Sequence, residues 1–341
     1  MAERKKTIPS KRSAGSCKQS PQQQNWPSNR NFRILAIDGG GIKGIFPAAF
    51  LAELENILPE DHSLSNHFDL ITGTSTGGII ALGLAAGLRA QDMLDMYMQN
   101  GAKIFPNSYF GWFKNLFMSR YDSGALEKVL YDTFQNKKIG DANVALCIPS
   151  CDGTHGEVYI YKTPHHPRFK LDAKEKMSTA ALATSAAPTF LKIQKHNGYK
   201  FIDGGLYANT PIMVGIVDAL SNFKIQRDKI NVLSLGCGTN EAPINRFQEK
   251  FGGLWNWRSA IGTSIDLQSQ NSLGQASLLI GNENILRLEP SEQCGKLALD
   301  DYDNASKYLP ENAKQVFDKL NKNALSPFIK SKAHGISFYD V

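Results

Sequence analysis

The sequence predicts an α/β protein with a largely parallel sheet, and three observations carry that expectation. The strand-like run Phe32–Ile37 leads into a helical pattern with Phe46, Phe50, Leu54, Ile57 and Leu58 on one face, the spacing of an amphipathic helix. A second unit of the same design follows, with residues 68–72 as its strand and residues 79–88 as a helix of small residues. Both strand-to-helix junctions are glycine-rich, at residues 39–44 and 73–77. Strands that alternate with helices in this way form parallel sheets.

Pro47 is compatible with the first of these helices because it falls in the first turn, where a missing N–H costs nothing. Further strands are expected at residues 144–148, 158–161, 201–202, 230–235 and 285–288. Further helices are expected at 90–103, 123–134, 177–187, 211–221 and 313–320. There is no internal repeat and no Pro/Gly-rich linker after residue 31, so residues 32–341 read as one domain. A chain of 341 residues can bury a sizeable core.

Residues 1–31 have a different composition, rich in Lys, Ser, Pro and Gln, and read as a disordered arm. Arg4, Lys5, Lys6, Lys11, Arg12, Lys18 and Arg30 there face one acid, Glu3, and supply much of the formal net charge of +6. Such a head suits anionic lipid or nucleic acid equally, and charge does not choose between them. The expectation is a solvated arm, with no DNA or RNA partner. The five cysteines, Cys17, Cys147, Cys151, Cys237 and Cys294, form no C-x-x-C pair, which argues against a disulfide framework or a zinc site. No apolar run approaches the roughly 20 residues of a membrane span, and no signal peptide is evident. A cytoplasmic protein with peripheral membrane contact is expected.

The strongest chemical signal is Gly73-Thr74-Ser75-Thr76-Gly77 between a strand and a helix. A G-x-S-x-G in that setting makes a sharp elbow that exposes the serine hydroxyl. The helix that follows aims its N-terminal amides at the serine, where they favour negative charge. Asp38-Gly39-Gly40-Gly41-Ile42-Lys43-Gly44 is the second signal. Its cluster of free amides suits the oxyanion of acyl transfer, and each donor in such a hole is worth about 3–4 kcal/mol. The glycines Gly39, Gly41 and Gly44 also fit the dinucleotide pattern G-x-G-x-x-G, which makes a nucleotide-binding module the rival reading. That pattern expects an acid at the end of the second strand, where this chain has Thr72-Gly73-Thr74-Ser75.

The serine needs a base, and Asp203-Gly204-Gly205 follows the short strand expected at residues 201–202. A carboxylate is a weak base in water and serves only when partly desolvated and hydrogen-bonded to the serine. Among the seven histidines, His334 near the C-terminus is the competitor, placed where a Ser-acid-His esterase would carry it. His62, His67, His155, His165, His166 and His196 read as surface-loop residues. No His, Cys or carboxylate group has metal-ligand spacing, so no metal is expected.

Together the three segments resemble the patatin-like phospholipase family, whose pattern is D-G-G-G-x-[RK]-G, then G-x-S-x-G, then D-G-[GA]. The resemblance spans roughly residues 32–220 and implies a three-layer α/β/α fold. It implies a Ser75–Asp203 dyad without histidine, an oxyanion hole at Gly39, Gly40 and Gly41, and hydrolysis of phospholipid acyl esters through an acyl-enzyme. Lys43, Gly44, Gly73, Gly77, Gly204 and Gly205 would support the motifs. Lys43 stands where arginine is more usual, keeping the charge without the planar fork. The chain is also similar to the compact bacterial patatin-like effectors of antiphage defence. That likeness implies no cofactor, a cyclic di- or trinucleotide activator, and membrane phospholipid as partner at the inner membrane; assembly into a homo-oligomer is compatible with it. Trp255, Trp257 and Arg258 are the aromatic and basic candidates for the nucleotide. The aromatic stretch 104–117 is the candidate flap or bilayer contact.

Overall fold

Alternate residues of an extended strand face opposite sides of a sheet, and the first long strand is apolar on both. The computed structural model describes residues 22–104, 123–188, 191–238 and 260–340. The strands are β1 (Gln24–Asn25), β2 (Phe32–Ile37), β3 (Leu70–Gly73), β4 (Ala145–Asp152), β5 (Glu157–Lys162), β6 (Gln194–His196), β7 (Tyr199–Asp203), β8 (Phe223–Lys224), β9 (Ile230–Leu235) and β10 (Ile285–Leu288). In β2, Leu35 and Ile37 join one buried cluster, whereas Phe32, Ile34 and Ala36 join a second on the other face. β9 divides in the same way, with Leu233 and Leu235 on one side and Ile230 and Val232 on the other.

The first face is covered by α1 (Ile45–Asn56), α2 (Thr76–Ala85), α3 (Ala90–Ile104), α4 (Ser123–Phe134) and α5 (Met177–Thr184). The short α6 (Gly205–Ala208) follows β7, and α7 (Ile212–Asn222) and α8 (Ala260–Ile280) cover the second face. The chain closes with α9 (Glu292–Gly295), α10 (Tyr302–Lys319), which returns to the first face, and α11 (Lys322–Ile329). Three layers, α/β/α, result. Among the described residues, no helix is long and apolar enough to cross a membrane.

β10, β9, β2, β3 and β4 are mutually parallel. The antiparallel strands β5 and β7 both pair with β4, and β6 pairs with β7. The eight-stranded sheet is therefore mixed at one end and parallel through its centre. The arm expected to run to residue 31 is placed from residue 22, because Gln24–Asn25 pairs with Phe223–Lys224 and Trp26 packs 4.8 Å from the Phe32 ring. Residues 1–21, Trp255, Trp257, Arg258 and all of the stretch 104–117 beyond Ile104 lie outside the described residues.

Two helices differ from expectation for a readable reason. α10 begins at Tyr302, ahead of the expected 313, because Ala305, Leu309, Ala313 and Phe317 form a buried stripe at four-residue intervals. That packing outweighs Pro310 inside the helix. α8 is 21 residues long, yet the side it buries includes Ser269, Ser272, Ala276 and Ile280. Serines on the inner face leave no apolar period to read.

Candidate active site

β3 ends in the elbow predicted for residues 73–77. Ser75 has φ 54° and ψ −120°, a backbone conformation that costs a non-glycine residue of order 1–3 kcal/mol and persists only where neighbours enforce it. Three contacts do so. Thr74 Oγ1 donates to the Ala208 carbonyl at 2.6 Å, the Ser75 amide donates to Thr184 Oγ1 at 3.0 Å, and Thr76 Oγ1 lies 2.5 Å from the Tyr97 hydroxyl. A Cβ on Gly73 would stand 2.1 Å from the Gly77 carbonyl oxygen, so the tight approach of strand and helix requires glycine there.

Asp203 ends β7 and is 6% exposed. Burial pushes its carboxyl up to about 6, while hydrogen bonds from the Gly205 amide and the Ser75 hydroxyl pull the other way. The Gly205 amide donates to Oδ1 at 2.7 Å. The carboxylate is thus desolvated, oriented by the Gly205 amide and on the same cavity as the serine, the setting a general base needs. Thr184, at the end of α5, holds both segments: its hydroxyl takes the Ser75 amide and its carbonyl takes the Gly204 amide at 3.3 Å. Nothing in the sequence pattern marked Thr184.

The glycine loop lies beside the serine, and its amides are not equivalent. The Gly39 amide donates to the Asn209 carbonyl at 3.0 Å, so it is already committed. Gly40 and Gly41 have no such partner among the described residues, and both line the same cavity as Ser75 and Asp203. Gly41 has φ 57°, and a Cβ there would stand 2.4 Å from the Leu299 carbonyl oxygen. Lys43 is 2% exposed and donates through Nζ to the Gly295 carbonyl at 2.9 Å and towards that of Gly238 at 3.4 Å. An ammonium serves both carbonyls without a planar fork, so lysine suffices at this position. Burial lowers its pKa against the pull of Cys237, Asp266 and Glu289.

The cavity holds about 550 Å³, and Ile79, Met96, Ile104, Leu126, Pro188 and Leu191 form its apolar side. Lys43, Asn209, Thr263 and Asp266 lie on its polar side. A long apolar chain with a polar end fits such a space.

His334 does not belong to this site. It packs at 5.2 Å on Trp26, and its neighbour Gly335 donates to Asp69 at 3.2 Å. Asp69 precedes β3 and Ser75 follows it, so the length of the strand separates the two, and the esterase triad is ruled out. The surface-loop reading fails for three other histidines: His67, His165 and His166 are 1%, 0% and 4% exposed. His165 is buried against Asp218, with Nε2 2.8 Å from Oδ2, and Lys162 Nζ donates to Oδ1 at 2.5 Å. Cys147, His165 and Asp218 bring donor atoms within 4.8 Å of one another, a cluster that residue spacing did not reveal. The Lys162 ammonium already supplies the positive charge there.

A strained serine elbow, a buried aspartate and free amides on one cavity, set at the carboxyl end of a parallel sheet, define a serine acyl hydrolase. The patatin-like phospholipase family model matches residues 35–216. A Pseudomonas aeruginosa protein named cGAMP-activated phospholipase is 34% identical over 257 residues, covering 71% of this chain and 76% of its own length. A Vibrio cholerae protein of the same name is 32% identical over 338 residues, covering 88% and 95%. Patatin-like protein 2 of Arabidopsis thaliana is 32% identical over 288 residues, covering 70% and 69%. The chain belongs to the patatin-like phospholipase family and is a lipid ester hydrolase; the dinucleotide-binding reading of residues 39–44 is thereby overturned.

Proposed function

We propose that the chain cleaves membrane phospholipid acyl esters with Ser75 as nucleophile and Asp203 as general base, and that a cyclic dinucleotide switches it on in antiphage defence. The observation that carries the chemistry is the Asp203 carboxyl, buried, raised to about 6 and facing the same cavity as Ser75, whose hydroxyl pulls it part of the way back. Asp203 takes the hydroxyl proton as Ser75 Oγ attacks the acyl carbonyl. The amides of Gly40 and Gly41 stabilise the oxyanion, and collapse of the tetrahedral species expels the lysolipid alkoxide, which receives the proton from Asp203. Water, deprotonated by the same carboxylate, then releases the fatty acid from the acyl-enzyme. The apolar side of the cavity receives the acyl chain. Gly39, with its amide committed to Asn209, shapes the loop instead of donating.

The regulatory half of this reading rests on the relatives named cGAMP-activated phospholipase, which align over most of this chain. On this reading the active enzyme is cytoplasmic and works peripherally at the inner membrane. The test is fatty-acid release from phospholipid vesicles by wild type and Ser75→Ala across a panel of cyclic di- and trinucleotides. Release by wild type in the lanes with one cyclic dinucleotide, and none by Ser75→Ala, is expected. Equal release in every lane would sink the switch, and release by Ser75→Ala would sink the nucleophile.

A further inference from the structure

We propose that Arg287 is a positioning residue for the reaction, holding the oxyanion loop and the segment that carries the base in one fixed relation. The proposal rests on the reading of Ser75, Asp203 and the glycine loop given above. Three consecutive glycines have no side chains with which to anchor themselves, so residues 39–41 depend on what grips the loop at its ends. The Asp38 side chain is the grip on the first end. It is 4% exposed and receives Arg287 from β10 in a bidentate pair, Nη1 to Oδ1 at 3.1 Å and Nη2 to Oδ2 at 2.5 Å.

The guanidinium has no donor to spare. Its Nε donates to Glu289 Oε1 at 3.0 Å, its second Nη1 hydrogen to Ser234 Oγ at 2.7 Å, and its second Nη2 hydrogen to Glu289. All five N–H groups are thus engaged, a pattern that an ammonium cannot reproduce. Burial disfavours the charge of Arg287, and Asp38 and Glu289 more than offset it. Glu289 in turn takes the Gly238 amide at 2.9 Å, so Arg287 itself is braced by β9 and its exit loop.

Asp38 also reaches the other half of the site. Thr210 Oγ1 donates to its Oδ2 at 2.6 Å, and the carbonyl of the preceding Asn209 takes the Gly39 amide. Residues 203–210 run continuously from the base through α6, so one carboxylate ties the oxyanion loop to the base segment. Arg287 holds that carboxylate in place. It also cancels a negative charge that would otherwise oppose the oxyanion forming a few residues away.

The test measures kcat and KM on a soluble p-nitrophenyl ester, in the cyclic-nucleotide lane where wild type is most active, normalised to the folded fraction read by circular dichroism. Arg287→Gln is expected to lower kcat about 100-fold with KM within about threefold. Arg287→Lys is expected to lose at least about tenfold despite keeping the charge. The double variant Asp38→Asn with Arg287→Gln should recover about tenfold over Arg287→Gln alone, because it removes the unpaired buried carboxylate. If Arg287→Gln does not fold, Arg287→Lys carries the same comparison. A kcat within threefold of wild type in the folded single variant, or loss confined to KM, would overturn the assignment. Wild type inactive on the ester and unlabelled at Ser75 by a fluorophosphonate in every lane of the cyclic-nucleotide panel would instead overturn the catalytic reading beneath it.

Discussion

Ser75 and Asp203 reach each other along one edge of β4, from opposite directions. Thr72 of β3 stands opposite Cys147, and Asp203 of β7 stands opposite Ser150. β5 fills the other edge of β4 across both positions. Because β3 is parallel and β7 antiparallel to β4, their carboxyl ends face across a short gap. Both chains must turn out of the sheet there, one through the elbow and one through Gly204 and Gly205. Strand topology therefore brings a buried carboxylate towards the serine without a third residue to carry it.

Removal of either partner should abolish the chemistry while sparing the fold. Ser75→Ala and Asp203→Asn are each expected to lower ester hydrolysis by about 10³-fold or more, with KM little changed. His334→Ala, a strand's length away, should stay within about twofold of wild type. Steady-state kinetics on a soluble ester would check all three. A large loss in folded His334→Ala would contradict the dyad.

The pH dependence follows from the same carboxyl. Asp203 must be ionised to act as base, so kcat/KM should rise through pH of about 6 and level off above it. Stability should run the other way. A carboxyl raised from 3.8 to about 6 binds its proton more tightly in the folded chain, so the fold loses stability as pH climbs through that window. The loss amounts to about 3 kcal/mol in all. Asp203→Asn mimics the protonated acid. It should melt above wild type at pH 8 and close to it below pH 4. A calorimetric comparison at the two pH values would show whether the site is held at the expense of stability.

The part of the fold legible in the sequence is the part that packs by a simple period. β2, β9 and β10 fall at their expected bounds because an apolar residue opens and closes each of them. The glycine motifs were legible because close backbone approach excludes other residues, as the Gly73–Gly77 contact illustrates. The supports of the site were not legible. Thr184, Asn209, Arg287 and Glu289 act through hydrogen bonds to segments far away in sequence, and a lone polar residue in a loop or near a strand end carries no period. His165 was misread for a similar reason: a Pro-His-His-Pro stretch looks like a surface loop until Asp218 arrives from a distant helix.

Thr184 offers a test of how the elbow is held. It is 0% exposed, takes the Ser75 amide, and donates to the Pro149 carbonyl at 2.5 Å. Thr184→Val keeps the shape and removes both bonds, leaving two buried groups unpaired at about 1–3 kcal/mol. The strained φ at Ser75 then has less to enforce it. Stability should fall by that amount and kcat by at least about tenfold, whereas Thr184→Ser should retain activity. Equal kcat in the valine and serine variants would show that the elbow holds its shape without this bond.

The Lys162–Asp218–His165 cluster should affect stability and leave the chemistry alone. Burial alone would raise the Asp218 pKa, but Lys162 and His165 overcome it and hold the carboxyl well below the usual carboxylate range. Its stabilisation is therefore present at neutral pH and lost on acidification below 3.8, where the unfolded chain takes up protons first. Lys162→Met would leave Asp218, 2% exposed, without its ammonium partner, a change expected to cost about 3–5 kcal/mol. Adding Asp218→Leu to Lys162→Met should recover much of that loss, since no buried charge remains. Urea denaturation at pH 7 would measure both steps. Fluorophosphonate labelling of Ser75 in the folded fraction should be unchanged in each variant, because the cluster lies on the α7 face of the sheet, away from the catalytic cavity. A drop in labelling that tracks Lys162→Met would tie the cluster to the active site instead.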